Sequence, residues 1–364
     1  MPYPPRRAAA RTLLHEVAPG LDALLVTDLV NVRYLTGFTG SNAALLLHVD
    51  GDDASRLCTD GRYRTQAAHE VPDLPLLVER GSARALAAAA SDHRVQALGF
   101  ESDQVTVDAR DELAEAAAGV VLHRAPGLVQ RLRTVKDEAE VTALRAACAA
   151  ADAALAGLLA DGGLRPGRTE REVALDLEIR MRDHGATGPA FETIVAAGPN
   201  SAVPHHRPDA TVLRRGDLVT MDFGALVDGY HSDMTRTVVL GPAASWQREL
   251  YALVGAAQEA GRAALAPGTK VSDVDAAARS VVDRAGRGEQ FVHPLGHGVG
   301  LQIHEAPLLA ATTAGMLAAG MAVTVEPGVY LEGRGGVRTE DIVLVRDGGP
   351  QLLTTSPREL LEVG

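Results

Sequence analysis

Two stretches of the chain, 104 positions apart, carry one pattern, and each places an acid at the same point. Residues 213–224 read LRRGDLVTMDFG, and residues 317–328 read LAAGMAVTVEPG. Leu213 matches Leu317, Gly216 matches Gly320, Val219–Thr220 match Val323–Thr324, and Gly224 matches Gly328. Asp222 falls opposite Glu326. A second echo precedes each copy, with Leu164, Pro166 and Gly167 against Leu265, Pro267 and Gly268. Solenoid units repeat every ~20–50 residues, so this longer period points to two similar halves related by a pseudo-two-fold axis. Such halves bring equivalent strand ends, and their acids, to one centre. Two acids there repel each other and need a proton or a cation between them.

The rest of the composition narrows the function. A net charge of −12 argues against a nucleic-acid partner, which would need a basic face. Hydrophobic residues make up 46% and aromatics only 3%, so a large core of Ala, Leu and Val is expected. No apolar run is read as approaching the ~20 residues of a membrane span, and no membrane partner is expected. The N-terminal stretch lacks the apolar core of a signal peptide. Cys58 and Cys148 form neither a disulfide framework nor a zinc knuckle and read as buried thiols. Together these features favour a reducing, cytoplasmic location.

The chain reads as mixed α/β (α+β) throughout. LDALLVTD and AALLLHVD are expected strands with the loop TGFTGSN between them. A strand at 55–60 leads to a helix start at DGRYRTQA. Residues 82–92 predict a helix capped by Ser82, and 108–118 another, between the strands VQALGFES and GVVLHR. From Thr134 the character changes to a long Ala- and Leu-rich helix. A helix over 169–184 follows, with Thr169 and Glu172 in capping-box positions. Pro126–Gly127 marks a linker, so the boundary falls near 126–134 and the expected domains are 1–130 and 131–364. Helices at 245–265 and 272–285 separate two strand-rich stretches, 191–240 and 291–346.

Six of the twelve histidines fall between 205 and 304, interleaved with acids in strand and turn contexts. Asp222 and Asp233 flank an expected hairpin turn at Asp228–Gly229, which brings both carboxylates to one end of a ladder. His297 in PLGHGVGLQIHEAP, Glu326 in VTVEPGVY and Glu340 in GVRTEDIVLV complete the candidates. Four carboxylates and one imidazole suit Mn²⁺, Co²⁺ or Fe²⁺ better than a thiolate-bound zinc. Four negative charges balance two divalent cations, held ~3.5–4 Å apart in two-metal hydrolases. An isolated Asp in such a context is usually a turn former, and an isolated His a satisfied polar residue. The repeat, which matches Asp222 to Glu326, changes those odds. GHGVG is not a dinucleotide fingerprint, and no Walker A loop or G-x-S-x-G elbow is present.

The segments NSAVPHHRP, MDFGALVDGYHSDMTRT, HPLGHGVGLQIHE, VTVEPGVY and GVRTED, in this order, resemble the Xaa-Pro peptidases. These are the prolidase and aminopeptidase P branch of peptidase family M24, which shares the pita-bread fold with methionine aminopeptidase. YLTGFTGSNA and TDGRYRTQA extend the resemblance to the first domain, and TVKDEAEV resembles the usual start of the catalytic domain. The resemblance implies a smaller α/β N-terminal domain followed by a pita-bread metallopeptidase domain. It implies Asp222 on one metal, Asp233 and Glu340 as bridges, and His297 and Glu326 completing the other site. The two cations are Mn²⁺ first, with Co²⁺, Fe²⁺ or Zn²⁺ as alternatives. A metal-bridging hydroxide is the implied nucleophile, with Glu326 as its proton shuttle. His304 is placed to hydrogen-bond the scissile carbonyl, His205 to orient the substrate, and His293 to line the site. Arg338 resembles an arginine that fixes a ligand carboxylate or the substrate. Tyr230 reads as a pocket wall or a donor behind the ligands, and Thr235 as a hydrogen-bond donor to a ligand. His206 and His231 read as exposed.

The leading expectation is a two-metal exopeptidase acting on short proline-containing peptides, leaning to the Xaa-Pro dipeptide. An aminopeptidase P acting on longer peptides is the alternative. The PHHRP and VRTED contexts and the extra domain argue against methionine aminopeptidase. Creatinase-like C–N hydrolysis does not need the complete ligand set. A non-catalytic binding module on the same scaffold is the reading from another class, and such modules lose ligands. The resemblance also implies a homodimer.

Overall fold

In the computed structural model, which describes residues 3–364 apart from the His93 side chain, the matched turns of the two repeats share one backbone. Gly216 has φ 92° and Gly320 φ 91°, a left-handed conformation that only glycine adopts without strain. The earlier echo closes on the later one in both halves. Gly167 N donates to Leu213 O at 3.0 Å, and Gly268 N to Leu317 O at 2.8 Å. Two short motifs, ~50 residues apart within each copy, are therefore one structural joint made twice.

The contacts divide the chain into two compact units, Met1–Arg133 and Thr134–Gly364. The first unit opens with α1 (Tyr3–Val17), then β1 (Ala23–Val26), α2 (Leu29–Thr36), β2 (Ala43–His48) and β3 (Arg56–Thr59). It continues through α3 (Arg64–Glu70), β4 (Leu76–Val78), α4 (Ser82–Ala89) and β5 (Ala97–Phe100). It ends with α5 (Val107–Ala116), β6 (Val121–Arg124) and α6 (Leu128–Arg133). Its six strands form one mixed sheet in the order β4-β3-β2-β1-β5-β6. The inner strands β1 and β2 are buried along their whole length, which explains their unbroken apolar runs.

One sequence expectation in this unit needs correction, and two helices were not anticipated. Helix α1 was not anticipated; it forms around Arg7, which is fully buried and donates to Leu35 O at 3.0 Å and to Asp52 Oδ2 at 2.7 Å. Helix α2, also not anticipated, lies ahead of the expected TGFTGSN loop; Asp28 caps Val30 N at 3.2 Å and Gly37, at φ 84°, closes the other end. Ser82 is the first residue of α4 and not its cap; its hydroxyl turns back to Glu79 O at 3.3 Å.

The second unit starts with α7 (Glu138–Ala160) and α8 (Glu170–Asp183). Both begin with a capping box, Asp137 with Glu140 and Thr169 with Glu172. Next come β7 (Gly188–Pro189), β8 (Ile194–Ala197), β9 (Leu218–Phe223), β10 (Ala225–Val227), β11 (Tyr230–His231) and β12 (Met234–Leu240). Then α9 (Ser245–Ala263) and α10 (Val271–Arg284) begin the second half. Its strands are β13 (Gly296–Gly298), β14 (Glu305–Leu309), β15 (Ala322–Val325), β16 (Gly328–Leu331), β17 (Gly335–Arg338) and β18 (Asp341–Leu344). The short β19 (Gln351–Leu352) and β20 (Glu362–Val363) finish the chain.

The halves follow one plan, two helices packed on a sheet. Helices α7 and α8 cover a four-stranded sheet ordered β20-β12-β9-β8, and their residues make one core with it. Helices α9 and α10 share a second core with the five-stranded sheet ordered β14-β13-β15-β18-β19. In each sheet an antiparallel pair forms the inner ladder, β9 with β12 and β15 with β18.

Helix α7 corrects the expectation that no apolar run has membrane length. It has 23 residues, and an 18-residue stretch within it reaches a mean hydropathy of 1.5, enough by length and composition to cross a membrane. Alanine and leucine supply that value, and the face carrying Val141, Leu144, Ala147, Ala151, Leu155 and Leu158 is buried in the protein. Cys58 and Cys148 are free, buried thiols, and burial raises the pKa of both.

Candidate metal centre

The repeat delivers its acids in pairs. Asp222 lies near the end of β9, and Glu326 directly follows β15. Asp233 directly precedes β12, and Glu340 directly precedes β18. A tight turn separates β10 from β11, with Asp228 at φ 49° and Gly229 at φ 77°. These are the two positive φ values of a type I′ hairpin turn. The main chain joins the halves where the acids meet, through Glu340 N to Thr235 O at 3.1 Å.

All five expected ligands line one cavity of about 740 Å³. Donor atoms of Asp233, His297 and Glu340 fall within 4.8 Å of one another. His297 Nε2 lies 3.5 Å from Asp233 Oδ2 and 3.4 Å from Glu326 Oε1. Its Nδ1 faces Gly298 O at 3.0 Å, so Nδ1 carries the hydrogen. Burial lowers the His297 pKa to about 4, so the ring is neutral and Nε2 presents a lone pair to two carboxylates. That contact is repulsive unless a proton or a cation lies between.

The acids respond as a crowded group must. Burial, then the neighbouring Asp222 and Glu326 carboxylates, push the Asp233 pKa well above the carboxylate range. Glu340 is raised in the same way, by burial and then by Asp233. Burial lifts Glu326 to about 8, against the pull of Arg338. Asp222 Oδ1 is buried without a hydrogen-bond partner among the described residues. An orphaned carboxylate oxygen, an aimed imidazole lone pair and three crowded acids whose pKa values are raised for want of a countercharge fit a divalent-cation site.

Other side chains hold these groups in place. Arg338, 3% exposed, donates through Nη2 to Asp222 Oδ2 at 2.6 Å and through Nε to Thr235 Oγ1 at 3.0 Å. Thr235 Oγ1 in turn donates to Glu340 Oε2 at 2.7 Å. Thr324 Oγ1 accepts His297 N at 3.0 Å and donates to Glu326 Oε1 at 3.2 Å. Thr324 and its repeat mate Thr220 are both buried, so the matched Val-Thr pair reflects packing as well as chemistry.

His205, His293 and His304 line the same cavity. His304 packs edge-on against the His297 ring, with centroids 4.4 Å apart. Both ring nitrogens of His293 are engaged, Nδ1 with Pro294 O at 2.8 Å and Nε2 with Tyr330 Oη at 2.9 Å. Nδ1 faces an acceptor and carries the hydrogen, so the Tyr330 hydroxyl donates to Nε2 and accepts from Arg338 Nη1 at 2.9 Å. Tyr330 was not singled out from the sequence, although it follows the repeat in VEPGVY.

Three expectations are corrected. Tyr230 does not line the cavity; it is buried, and its hydroxyl donates to Glu140 Oε1 at 3.2 Å. His206 is not free at the surface, since its Nε2 lies 2.7 Å from the fully buried Glu170. His231 is partly buried, with Nδ1 3.0 Å from Gly300 O.

Comparison with known proteins identifies the family. The profile of the Creatinase/Prolidase N-terminal domain matches residues 6–135, and that of Metallopeptidase family M24 matches residues 142–347. A Xaa-Pro dipeptidase of Pyrococcus furiosus is 35% identical over 341 residues, covering 94% of this chain and 95% of its own. Among solved structures, a Xaa-Pro dipeptidase from Bacillus anthracis superposes with TM-score 0.93 at 37% identity, covering 99% of both chains. An X-Pro aminopeptidase from Thermotoga maritima gives TM-score 0.87 at 32% identity, covering 98% of this chain and 99% of its own. These matches also carry the expected architecture, an α/β N-terminal domain followed by a pita-bread catalytic domain. The family is one of divalent-metal enzymes, and the chain belongs to metallopeptidase family M24.

Proposed function

We propose that this protein hydrolyses the bond between a first residue and proline in short peptides, with the Xaa-Pro dipeptide as its preferred substrate. The observation that carries the metal chemistry is the neutral His297 Nε2, aimed at Asp233 and Glu326 at 3.5 and 3.4 Å. We assign two divalent cations, Mn²⁺ first, to Asp222, Asp233, His297, Glu326 and Glu340. When bound, the cations supply Lewis acidity, lowering the pKa of water and polarising the scissile carbonyl. The names of the Pyrococcus furiosus and Bacillus anthracis relatives support the proline specificity.

The chain's own residues do the remaining work. His304 donates to the scissile carbonyl oxygen, and His205 orients the prolyl side. The prolyl nitrogen, like any amide nitrogen, leaves only after accepting a proton. Glu326, beside the reacting centre, carries that proton. Arg338 holds Asp222 in its ligating orientation through the 2.6 Å contact of its Nη2. Phe191, Ile194, Ile303 and Leu308 supply apolar walls suited to a pyrrolidine ring. The domains 1–130 and 131–364, a homodimer and a cytoplasmic location complete the proposal; the two buried free thiols favour a reducing compartment.

The test sets Leu-Pro beside Leu-Pro-Pro, using metal-stripped protein before and after Mn²⁺ is restored. Manganese-dependent cleavage of the dipeptide alone is the expected result. Cleavage of the tripeptide would move the assignment to aminopeptidase P, the reading that the Thermotoga maritima structure favours. Silence on both, with Mn²⁺ bound, would overturn the proline specificity.

A further inference from the structure

We propose that the buried pair Glu170–His206 is a latch that positions His205, setting where that ring stands in the cavity. The inference rests on the peptidase reading above for the role of His205, and its physical basis is independent of that reading.

Glu170 is the first residue of α8 and is fully buried. Its Oε1 accepts Ala197 N at 2.7 Å and Asn200 Nδ2 at 3.0 Å. Its Oε2 meets His206 Nε2 at 2.7 Å and accepts Asp209 N at 3.3 Å. Four donors, from the end of β8 and the loop that follows it, thus converge on one carboxylate. A buried carboxylate that loses a partner keeps its desolvation cost, so the loop is drawn into a single conformation around it. The N-terminus of a 14-residue helix adds a favourable field for the negative charge.

Glu170, His206 and Asp209 also bring three donor atoms within 4.8 Å, the spacing of a cation site. The hydrogen bonds decide against that use. Both Glu170 oxygens already accept N–H groups, and Asp209 Oδ1 accepts Thr211 N at 2.6 Å. The cluster is a clamp on the loop.

His205 sits between two tethers. On one side His206 is tied to Glu170. On the other, Pro204 O accepts Arg338 Nη1 at 3.3 Å, from the same guanidinium that holds Asp222. The His205 ring itself is exposed within the cavity, and no hydrogen bond to it is recorded among the described residues. A ring without a hydrogen bond of its own takes its direction from its neighbours. The opposite wall repeats the device: His304 is followed by Glu305, whose Oε2 lies 2.8 Å from the buried Lys136 Nζ.

The experiment compares His206→Ala, His206→Gln, His205→Ala and the double variant His205→Ala/His206→Ala. Gln retains an N–H donor for Glu170. We expect His206→Ala to lower kcat on Leu-Pro about 10- to 100-fold, the scale of a catalytic group misplaced by about 1 Å. Mn²⁺ stoichiometry should not change, and His206→Gln should recover most of the loss. In the His205→Ala background, His206→Ala should add less than about 2-fold, because the two act as a unit. Amide hydrogen exchange supplies a readout besides activity: residues 197–209 should lose protection in His206→Ala and regain it in His206→Gln. Unchanged protection in His206→Ala would overturn the latch. So would a full additional loss on top of His205→Ala, which would show that His206 does not act through His205. If the wild type cleaves no Xaa-Pro peptide, the peptidase reading fails by itself, and the exchange measurement still decides the latch.

Discussion

Arg338 Nη2 and Asp222 Oδ2 lie 2.6 Å apart although 116 residues separate them in the chain. The contact ties the last strand of a hairpin in the second half to the acid that ends a strand in the first. Removing the guanidinium would leave Asp222 and the Tyr330 hydroxyl without a shared buried donor. Urea unfolding of the metal-stripped Arg338→Ala variant should therefore show about 3 kcal/mol less stability. Arg338→Lys keeps the charge but not the planar fork, and should recover less than half of that loss. A loss under about 1 kcal/mol would place Arg338 outside the support of the site.

Asp233 and Glu340 precede the two matched inner strands and lie among the most buried acids of the cavity. Calorimetric titration of the wild type should show two Mn²⁺ per chain. Asp233→Ala and Glu340→Ala should each lose at least one, with kcat/KM on Leu-Pro lower by at least about 100-fold, since changes even behind the ligands cost 10- to 100-fold. Two cations retained in either variant would remove that residue from the ligand set.

The pH dependence of the metal-stripped protein has a definite sign. Glu326 is raised to about 8 when folded, so the native state binds a proton that the unfolded chain, near 4.3, has released. Stability from this group is fully present below about 4.3 and is lost as pH rises through about 8. His293 and His297 are lowered to about 4, so the unfolded state binds more protons there between about 4 and 6.5. Their effect runs the other way and ends by about 6.5. Between pH 6.5 and 8 the Glu326 effect stands without theirs, and the Tm of stripped protein should fall. Saturating Mn²⁺ should abolish that fall, because cations bind the deprotonated acids and affinity rises with pH. A stripped-protein Tm that rises across this window would contradict the burial of Glu326.

Gly224 has no room for a side chain. A Cβ there would run into the Ser232 carbonyl, which belongs to the segment carrying Asp233. Gly224→Ala should push the Asp222 and Asp233 segments apart. We expect weaker Mn²⁺ binding and a lower Tm together, read by titration and calorimetry on the same sample. Wild-type affinity in a folded Gly224→Ala protein would show that the spacing of these segments does not set the site.

The spacing of the acids explains what sequence pattern could and could not reveal. Asp222 and Glu326 were matched because both fall inside the repeat, near the end of the corresponding strand in each half. Asp233 and Glu340 are mates in the same sense, but 11 residues separate the first pair of acids and 14 the second. The hairpins between them, β10–β11 and β16–β17, differ in length, so linear alignment loses the correspondence. Helix α1 and the capped α2 went unread for a related reason. One depends on a buried arginine, the other on a single aspartate, and neither leaves a periodic pattern.

Sequence alone determined the two-fold plan, the capping box of Thr169 with Glu172 and the residue types of the candidate metal site. Those follow from local rules, such as glycine at positive φ, carboxylates at strand ends and periodic apolar faces. Tertiary structure alone decided that Tyr330 links His293 to Arg338, that Tyr230 turns away to Glu140, and that His206 is tied to Glu170. Each of these depends on which polar groups become buried together. A buried polar group must find a partner wherever the fold supplies one, and sequence distance carries no record of where that is.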